Sequence, residues 1–259
     1  MDIDIVYPPV IMAARTMFLG MNLKFDTVGG EHIPTKGGAV LASNHVSYLD
    51  FIFCGLAARP SNRLVRFMAK KSTFDHVASG LLMRGMHHIP VDRSAGAGAY
   101  THAVRSLDNG QVVGVFPEAT ISQSWEIKDF KNGAARMAAE ADVPLVPMIT
   151  FGGQRLWTKG RKRDMERGSC IALTVGEPLR PAPEDTPDEV TAELRSRMQV
   201  LLDQTLERYP QKPEDGAWWW PARLGGGAPT LEEAQAKEAA RKADRAAQRA
   251  ESDEQESAD

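Results

Sequence analysis

The stretch GAVLASNHVSYLDFIFCGLAA, residues 38–58, decides the fold. Residues 38–43 are a short apolar run of the kind that forms a buried strand, and residues 49–58 are an apolar segment that reads as a helix. Polar and aromatic residues, Asn44 to Tyr48, join the two. The same alternation continues outward. Downstream, strand-like runs at 65–69, 87–91, 111–116, 143–151 and 171–175 are interleaved with helix-like ones at 77–84, 97–107, 133–141 and 187–208. Upstream, residues 8–20 make a short helix entered by proline and left by glycine. Alternating strands and helices predict an α/β fold, a layered single domain whose mixed, largely parallel sheet is flanked by helices. There is no internal repeat.

The 259 residues are 42% apolar and 25% charged, with a mean hydropathy of -0.33, values that exclude a wholly disordered or fibrous chain. The longest apolar runs fall far short of the roughly 18 residues that a membrane span needs. The start, MDIDI, lacks the basic opening and small-residue cleavage site of a secretory signal. Cys54 and Cys170 are too few and too distant in sequence for a disulfide framework or a metal cluster. The expectation is a cytoplasmic protein, or one peripheral on the cytosolic face of a membrane, with no metal and no resident cofactor.

The net charge of -3 hides a division, because residues 231–259 hold 5 basic and 9 acidic side chains, leaving 26 and 25 for the rest. Residues 51–74 carry no acid but include Arg59, Arg63, Arg66, Lys70 and Lys71, and a second basic cluster spans 155–167. Such clusters serve as solvated faces or meet an anionic partner, such as a phosphate head group. No nucleic-acid motif accompanies them, so no nucleic-acid partner is expected. Four segments follow: an N-terminal helix at 1–22 that either faces a membrane or covers the core, a central body at 23–212, a Trp/Gly-rich linker at 213–230, and a charged tail at 231–259. With almost no large apolar residue after Leu231, the tail should be a frayed helix or disordered. The three tryptophans Trp218, Trp219 and Trp220 either pack on the body or sit at a membrane interface.

The sharpest chemical signal is His45 followed five residues later by Asp50. Six histidines and 17 aspartates in 259 positions give about 0.4 such pairs by chance. The chain has two, since His87 and Asp92 share the spacing, so context must choose. Within one helix, five residues turn side chains roughly 140° apart. The pair meets only if His45 lies on the turn that ends the strand and Asp50 inside the following helix. His87 and Asp92 straddle Pro90 in a strand-like run, where odd separations point to opposite faces, and so serve as the decoy. A histidine held by a carboxylate is a competent general base. Ser47 lacks the nucleophile elbow, which favours a base that activates a substrate hydroxyl directly. A helix-capping or core role for His45 stays open on these residues alone.

Four blocks in order resemble the glycerolipid acyltransferase family, typified by the 1-acylglycerol-3-phosphate acyltransferases. They are NHVSYLD with His45 and Asp50, GMHHIPVDR ending at Arg93, FPEAT at 116–120, and VPLVP at 143–147. The segment around Lys70 is also similar. The resemblance implies the glycerol-phosphate-acyltransferase-like version of the α/β fold, with His45 and Asp50 as a catalytic dyad. It implies that Lys70, Arg93, Glu118 and Thr120 bind the acceptor, and that acyl-CoA or acyl carrier protein is the co-substrate. The reaction would be O-acylation of a lysophospholipid or glycolipid at an anionic membrane surface. Hydrolysis of an acyl ester or thioester, or non-catalytic lipid binding on the same fold, are the alternatives. One departure stands out: Ala119 and Ile121 occupy positions where the family has glycine and arginine. Either Ile121 frees an apolar space that suits a substituted head group, or it packs in the core while Arg155 or Lys159 supplies the charge.

Overall fold

The computed structural model describes residues 4–92, 97–182 and 184–256. Seven strands form one sheet: β1 (Lys24–Val28), β2 (Ala39–Ser43), β3 (Val65–Lys70), β4 (Ile89–Val91), β5 (Val112–Val115), β6 (Leu145–Phe151) and β7 (Cys170–Val175). Their order is β1-β7-β6-β2-β5-β3-β4. The five strands from β6 to β4 are mutually parallel, β7 is antiparallel to β6, and β1 runs parallel to β7. The sheet is therefore mixed and largely parallel, as the alternating pattern predicts. Every residue of β2, β5, β6 and β7 is buried. Strands covered on both faces read as continuous apolar runs, which is why the sequence marks them so plainly.

The helices are α1 (Tyr7–Gly20), α2 (Asp50–Ala57), α3 (Lys71–Asp75), α4 (Val77–Gly85), α5 (Ala97–Asp108), α6 (Gly133–Glu140), α7 (Pro187–Arg208) and α8 (Leu231–Glu256). Helices α5, α6 and α7 pack side by side over β5, β2 and β6, while α2 packs on β3, β6 and β7. Phe18 of α1 meets Phe53 of α2 within the cluster that also holds Leu41, Val146 and Ile171. Helix α7 starts with a reciprocal capping box between Thr186 and Glu189, with Pro187 following the cap. All seven strands and α1 to α7 belong to one compact unit, the chain up to Ile121 together with Asp129–Lys212. Ser122–Lys128 and the chain from Pro213 onward form a second unit. Among the described residues no helix is long and apolar enough to cross a membrane.

Strand β1 and helix α3 lack an apolar run that would announce them. At the sheet edge, Lys-Phe-Asp-Thr-Val exposes or half-exposes all five residues. Strand β4 is shorter than the run at 87–91 suggests. His87 has a φ of +54°, and its N–H reaches the carbonyl of Arg84, so it closes α4 instead of opening the strand.

Candidate active site

In the parallel part of the sheet, β5 lies between β2 and β3. The chain leaves their carboxyl ends at Asn44, Phe116 and Lys70, which gathers two of the sequence blocks and the Lys70 segment at one edge. Such edges are where open α/β sheets bind ligands.

At the end of β2 the Asn44 side chain continues the ladder. Its Nδ2 donates to the carbonyl of Thr150 at 3.0 Å, and the Thr150 N–H donates to its Oδ1 at 2.7 Å. With the strand pinned there, the next five residues form the turn into α2. Asp50, fully buried at the start of that helix, organises the turn. Its Oδ2 accepts the N–H groups of Val46 and Ser47, each at 2.7 Å, and lies 2.9 Å from His45 Nδ1. Its Oδ1 accepts the hydroxyl of Thr150 at 3.0 Å. Four donors thus satisfy one buried carboxyl group, the condition under which burial of such a group is tolerated.

From the other side, residues 157 and 158 hold the turn. The carbonyl of Trp157 accepts Ser47 Oγ at 2.8 Å and the Tyr48 N–H at 3.1 Å. Thr158 Oγ1 donates to the carbonyl of Val46 at 2.7 Å. Two glycines begin the chain that leads to residues 157 and 158, the first fitting against β7 and the second against the turn. A Cβ on Gly152, whose φ is +99°, would lie 2.0 Å from the carbonyl oxygen of Cys170, and one on Gly153 would lie 3.0 Å from Ser47 Cβ.

The His45 ring stacks on Phe116, with centroids 4.2 Å apart and planes at 15°, and Phe116 stacks on Phe67 at 5.7 Å. The Phe67 ring occupies space that a side chain at Gly114 would fill, since a Cβ there would come within 2.4 Å of it. The His45 side chain keeps 20% of its exposure. A carboxylate only accepts, so Nδ1 carries the proton and Nε2 presents a lone pair. The arrangement is a rigidly oriented imidazole able to take a proton from an approaching group and to hand it on.

Glu118 follows β5 and is buried. Its Oε1 accepts the backbone N–H of His45 at 3.2 Å, so the third block is tied to the first. Among the predicted site residues, the structure thus joins His45, Asp50 and Glu118 by hydrogen bonds. Lys70 is exposed at the end of β3 and Thr120 is half-buried after β5. Arg93 lies outside the described residues. The decoy pair does not form: Asp92 Oδ2 meets Lys71 Nζ at 3.0 Å. Ile121 is only 4% exposed, so it packs in the interior. Arg155 is buried as well, its guanidinium engaged by Glu166 and by Gln211 Oε1 at 2.6 Å. The sequence gives Thr150 no role in the site and marks Phe116 only as the first residue of the third block. The signal for Thr150 was a lone hydroxyl near the end of an otherwise apolar strand.

Comparison with known proteins covers the same stretch of the chain. The acyltransferase family model matches residues 24–150, which include every block named above. The chain is 30% identical over 186 residues to the 1-acyl-sn-glycerol-3-phosphate acyltransferase of Bacillus subtilis, covering 70% of this chain and 86% of that protein. It is 35% identical over 162 residues to the enzyme of that name from Limnanthes douglasii, of which the match spans 55%. Its fold is shared with the crystal structure of the 1-acyl-sn-glycerophosphate acyltransferase of Thermotoga maritima, at a TM-score of 0.65 and 21% identity over 79% of this chain and 81% of that one. With the four blocks in order, on this fold and over this span, the chain belongs to the acyltransferase family and is itself an acyltransferase.

Proposed function

We propose that the protein transfers a fatty acyl group from a thioester, acyl-CoA or acyl carrier protein, to the free hydroxyl of 1-acylglycerol-3-phosphate, with His45 and Asp50 as the catalytic dyad. The observation that carries the reading is the buried Asp50 carboxyl group holding His45 Nδ1 at 2.9 Å, which leaves Nε2 free to act. In this reaction Nε2 removes the acceptor hydroxyl's proton as the oxygen attacks the thioester carbonyl. The tetrahedral intermediate then collapses, the carbon–sulfur bond breaks, and the thiolate takes the proton back from the imidazolium. Asp50 stabilises the imidazolium formed in between. No acyl-enzyme intervenes, which agrees with Ser47 being committed to the carbonyl of Trp157 and with Cys54 being fully buried, its thiol pushed well up by that burial.

Lys70, Thr120 and Arg93 bind the polar head of the acceptor, and Glu118 joins them while holding the backbone of His45. Cations suit the phosphate, arginine most of all because its planar fork donates two hydrogen bonds at once. The names of the related enzymes support 1-acylglycerol-3-phosphate as the acceptor, and a buried Ile121 gives no reason to prefer a larger head group. The acceptor is reached from the cytosolic face of an anionic membrane. Helix α1 supports that reading only in part: it buries Tyr7 and Phe18 but exposes Met12 and Leu19, the latter 81% exposed. On α4, Val77 and Leu81 are also exposed, with Lys70 and Arg84 exposed nearby in sequence.

The test is acceptor-dependent release of thiol from acyl-CoA by the purified chain, with 1-acylglycerol-3-phosphate and head-group-substituted lysophospholipids as acceptors. Release that requires acceptor and is most efficient with 1-acylglycerol-3-phosphate supports the proposal. Release of free fatty acid without acceptor identifies a hydrolase and refutes it, as does no release at all.

A further inference from the structure

Ser122–Lys128 leaves the first unit directly after Ile121 and rejoins it at Asp129, yet it belongs to the second unit, with the chain from Pro213. The segment is locked internally. Ser122 Oγ lies 3.1 Å from Ser124 Oγ and donates to the carbonyl of Glu126 at 2.9 Å, and Ser124 Oγ accepts the Glu126 N–H at 3.3 Å. It is also gripped at four points by the C-terminal chain. The indole N–H of Trp125 donates to the carbonyl of Trp218 at 3.0 Å, and the two rings meet edge to face at 6.1 Å. Arg223 Nε donates to both carboxylate oxygens of Glu126, at 2.8 and 2.9 Å. From α8, Glu238 Oε2 holds Lys128 Nζ at 3.0 Å and Arg241 Nη1 reaches Gln123 Oε1 at 3.3 Å. Glu238 and Arg241 are three apart on one helix, so a single face reaches both ends of the segment.

Two backbone conformations show how firmly this region is held. Trp125 has a φ of +62° and Ala119 a φ of +63°. Residues other than glycine persist in that region only where their surroundings over-determine them. The match to the acyltransferase family ends at residue 150, so the C-terminal chain that makes these contacts lies outside it.

We propose that Trp218, Arg223, Glu238 and Arg241 are positioning residues. By fixing Ser122–Lys128, they hold the acceptor block Glu118–Thr120 that precedes it, and so set the affinity for the polar head of the lysophospholipid. The proposal rests on the acceptor-binding role assigned to that block above. Lys128 is buried and its partner Glu238 partly so, which makes this pair a stronger coupling than an exposed one.

Charge reversal in the full-length chain tests it, through Lys128→Glu, Glu238→Lys and the double reversal. Each single reversal should raise KM for 1-acylglycerol-3-phosphate about fivefold or more while KM for acyl-CoA stays within about twofold, and the double reversal should restore the first value. Without substrate, amide hydrogen exchange across residues 119–128 should quicken about tenfold in each single variant and return in the double. Trp125→Phe, which keeps a ring but deletes the hydrogen bond to Trp218, should move both readouts in the same direction by less. The proposal is overturned by an unchanged acceptor KM, by a parallel rise for both substrates, or by a double reversal that fails to rescue. If the unaltered chain acylates no lysophospholipid, the functional reading fails by itself. The exchange measurement needs no acceptor, and unaltered exchange in the single variants overturns the positioning role independently.

Discussion

Asp50→Asn separates what the buried carboxyl group does for the fold from what it does for the reaction. Oδ2 faces three N–H donors, from Val46, Ser47 and His45, and Oδ1 faces the hydroxyl of Thr150. Asparagine therefore has one good orientation. Its oxygen takes the three N–H groups, and its NH₂ turns to Thr150, whose hydroxyl rotates to accept. The His45 tautomer survives, and the stability change should stay within about 1 kcal/mol, as expected when each buried donor keeps an acceptor. What disappears is the charge opposite the imidazolium. For unit charges about 4 Å apart at an effective dielectric constant near 20, that attraction is about 4 kcal/mol, or roughly a thousandfold in rate. Asp50→Ala, in contrast, leaves four donors unsatisfied and should cost about 3–5 kcal/mol of stability as well. Thermal unfolding and acceptor-dependent thiol release, measured on both variants, read the two effects. An Asp50→Asn protein that keeps its fold and stays within tenfold of full activity would refute the electrostatic argument.

Ala119→Gly should stabilise the fold by about 0.5–1 kcal/mol, because it relieves a left-handed alanine at the cost of some chain entropy. A loss of stability in urea unfolding would show that the Ala119 methyl group makes a packing contact that outweighs the strain. Ile121→Arg, which places the family's cation at this position, buries a guanidinium. It should lower stability by about 2 kcal/mol or more without improving acceptor KM, and a lower KM with the melting temperature unchanged would contradict the interior placement of Ile121. The imidazole of His88 is pushed down to about 4, first by burial and then by Arg66 and His87. Between that value and the ordinary 6.5 the unfolded chain holds a proton that the native protein lacks. Stability should therefore fall by up to about 3 kcal/mol as pH drops through this window. His88→Gln should flatten that fall in urea unfolding compared between pH 7 and 4.5, and an unchanged slope would place the acid sensitivity elsewhere.

Fold and site were legible in the sequence to different degrees. The buried strands β2, β5, β6 and β7 declare themselves because both faces are apolar. Strand β1 does not, because at an edge its five residues need no apolar run. The spacing from His45 to Asp50 was informative only together with the strand before it and the helix after it, and the same spacing at His87 misleads because His87 ends a helix. The acceptors and donors that complete the site come from far along the chain, Thr150 from β6 and the Trp157 carbonyl from the loop beyond it. No local pattern announces a backbone carbonyl or a lone hydroxyl as a partner. Helix α1 turns Phe18 into the core and leaves its neighbour Leu19 exposed, a division that its apolar residues do not announce. The partners of Ser122–Lys128 lie about 90 residues or more away in sequence, a pairing that only the folded chain reveals.

In the proposed reaction His45, and not the equally spaced His87, moves the proton. The most direct measurement compares kcat/KM for acceptor-dependent thiol release in His45→Ala and His87→Ala, prepared side by side and matched for folding. His45→Ala should lose roughly 10²–10⁴-fold, the usual contribution of a general base, while His87→Ala stays close to the unaltered protein. A mild effect at His45 with a severe one at His87 would contradict the account.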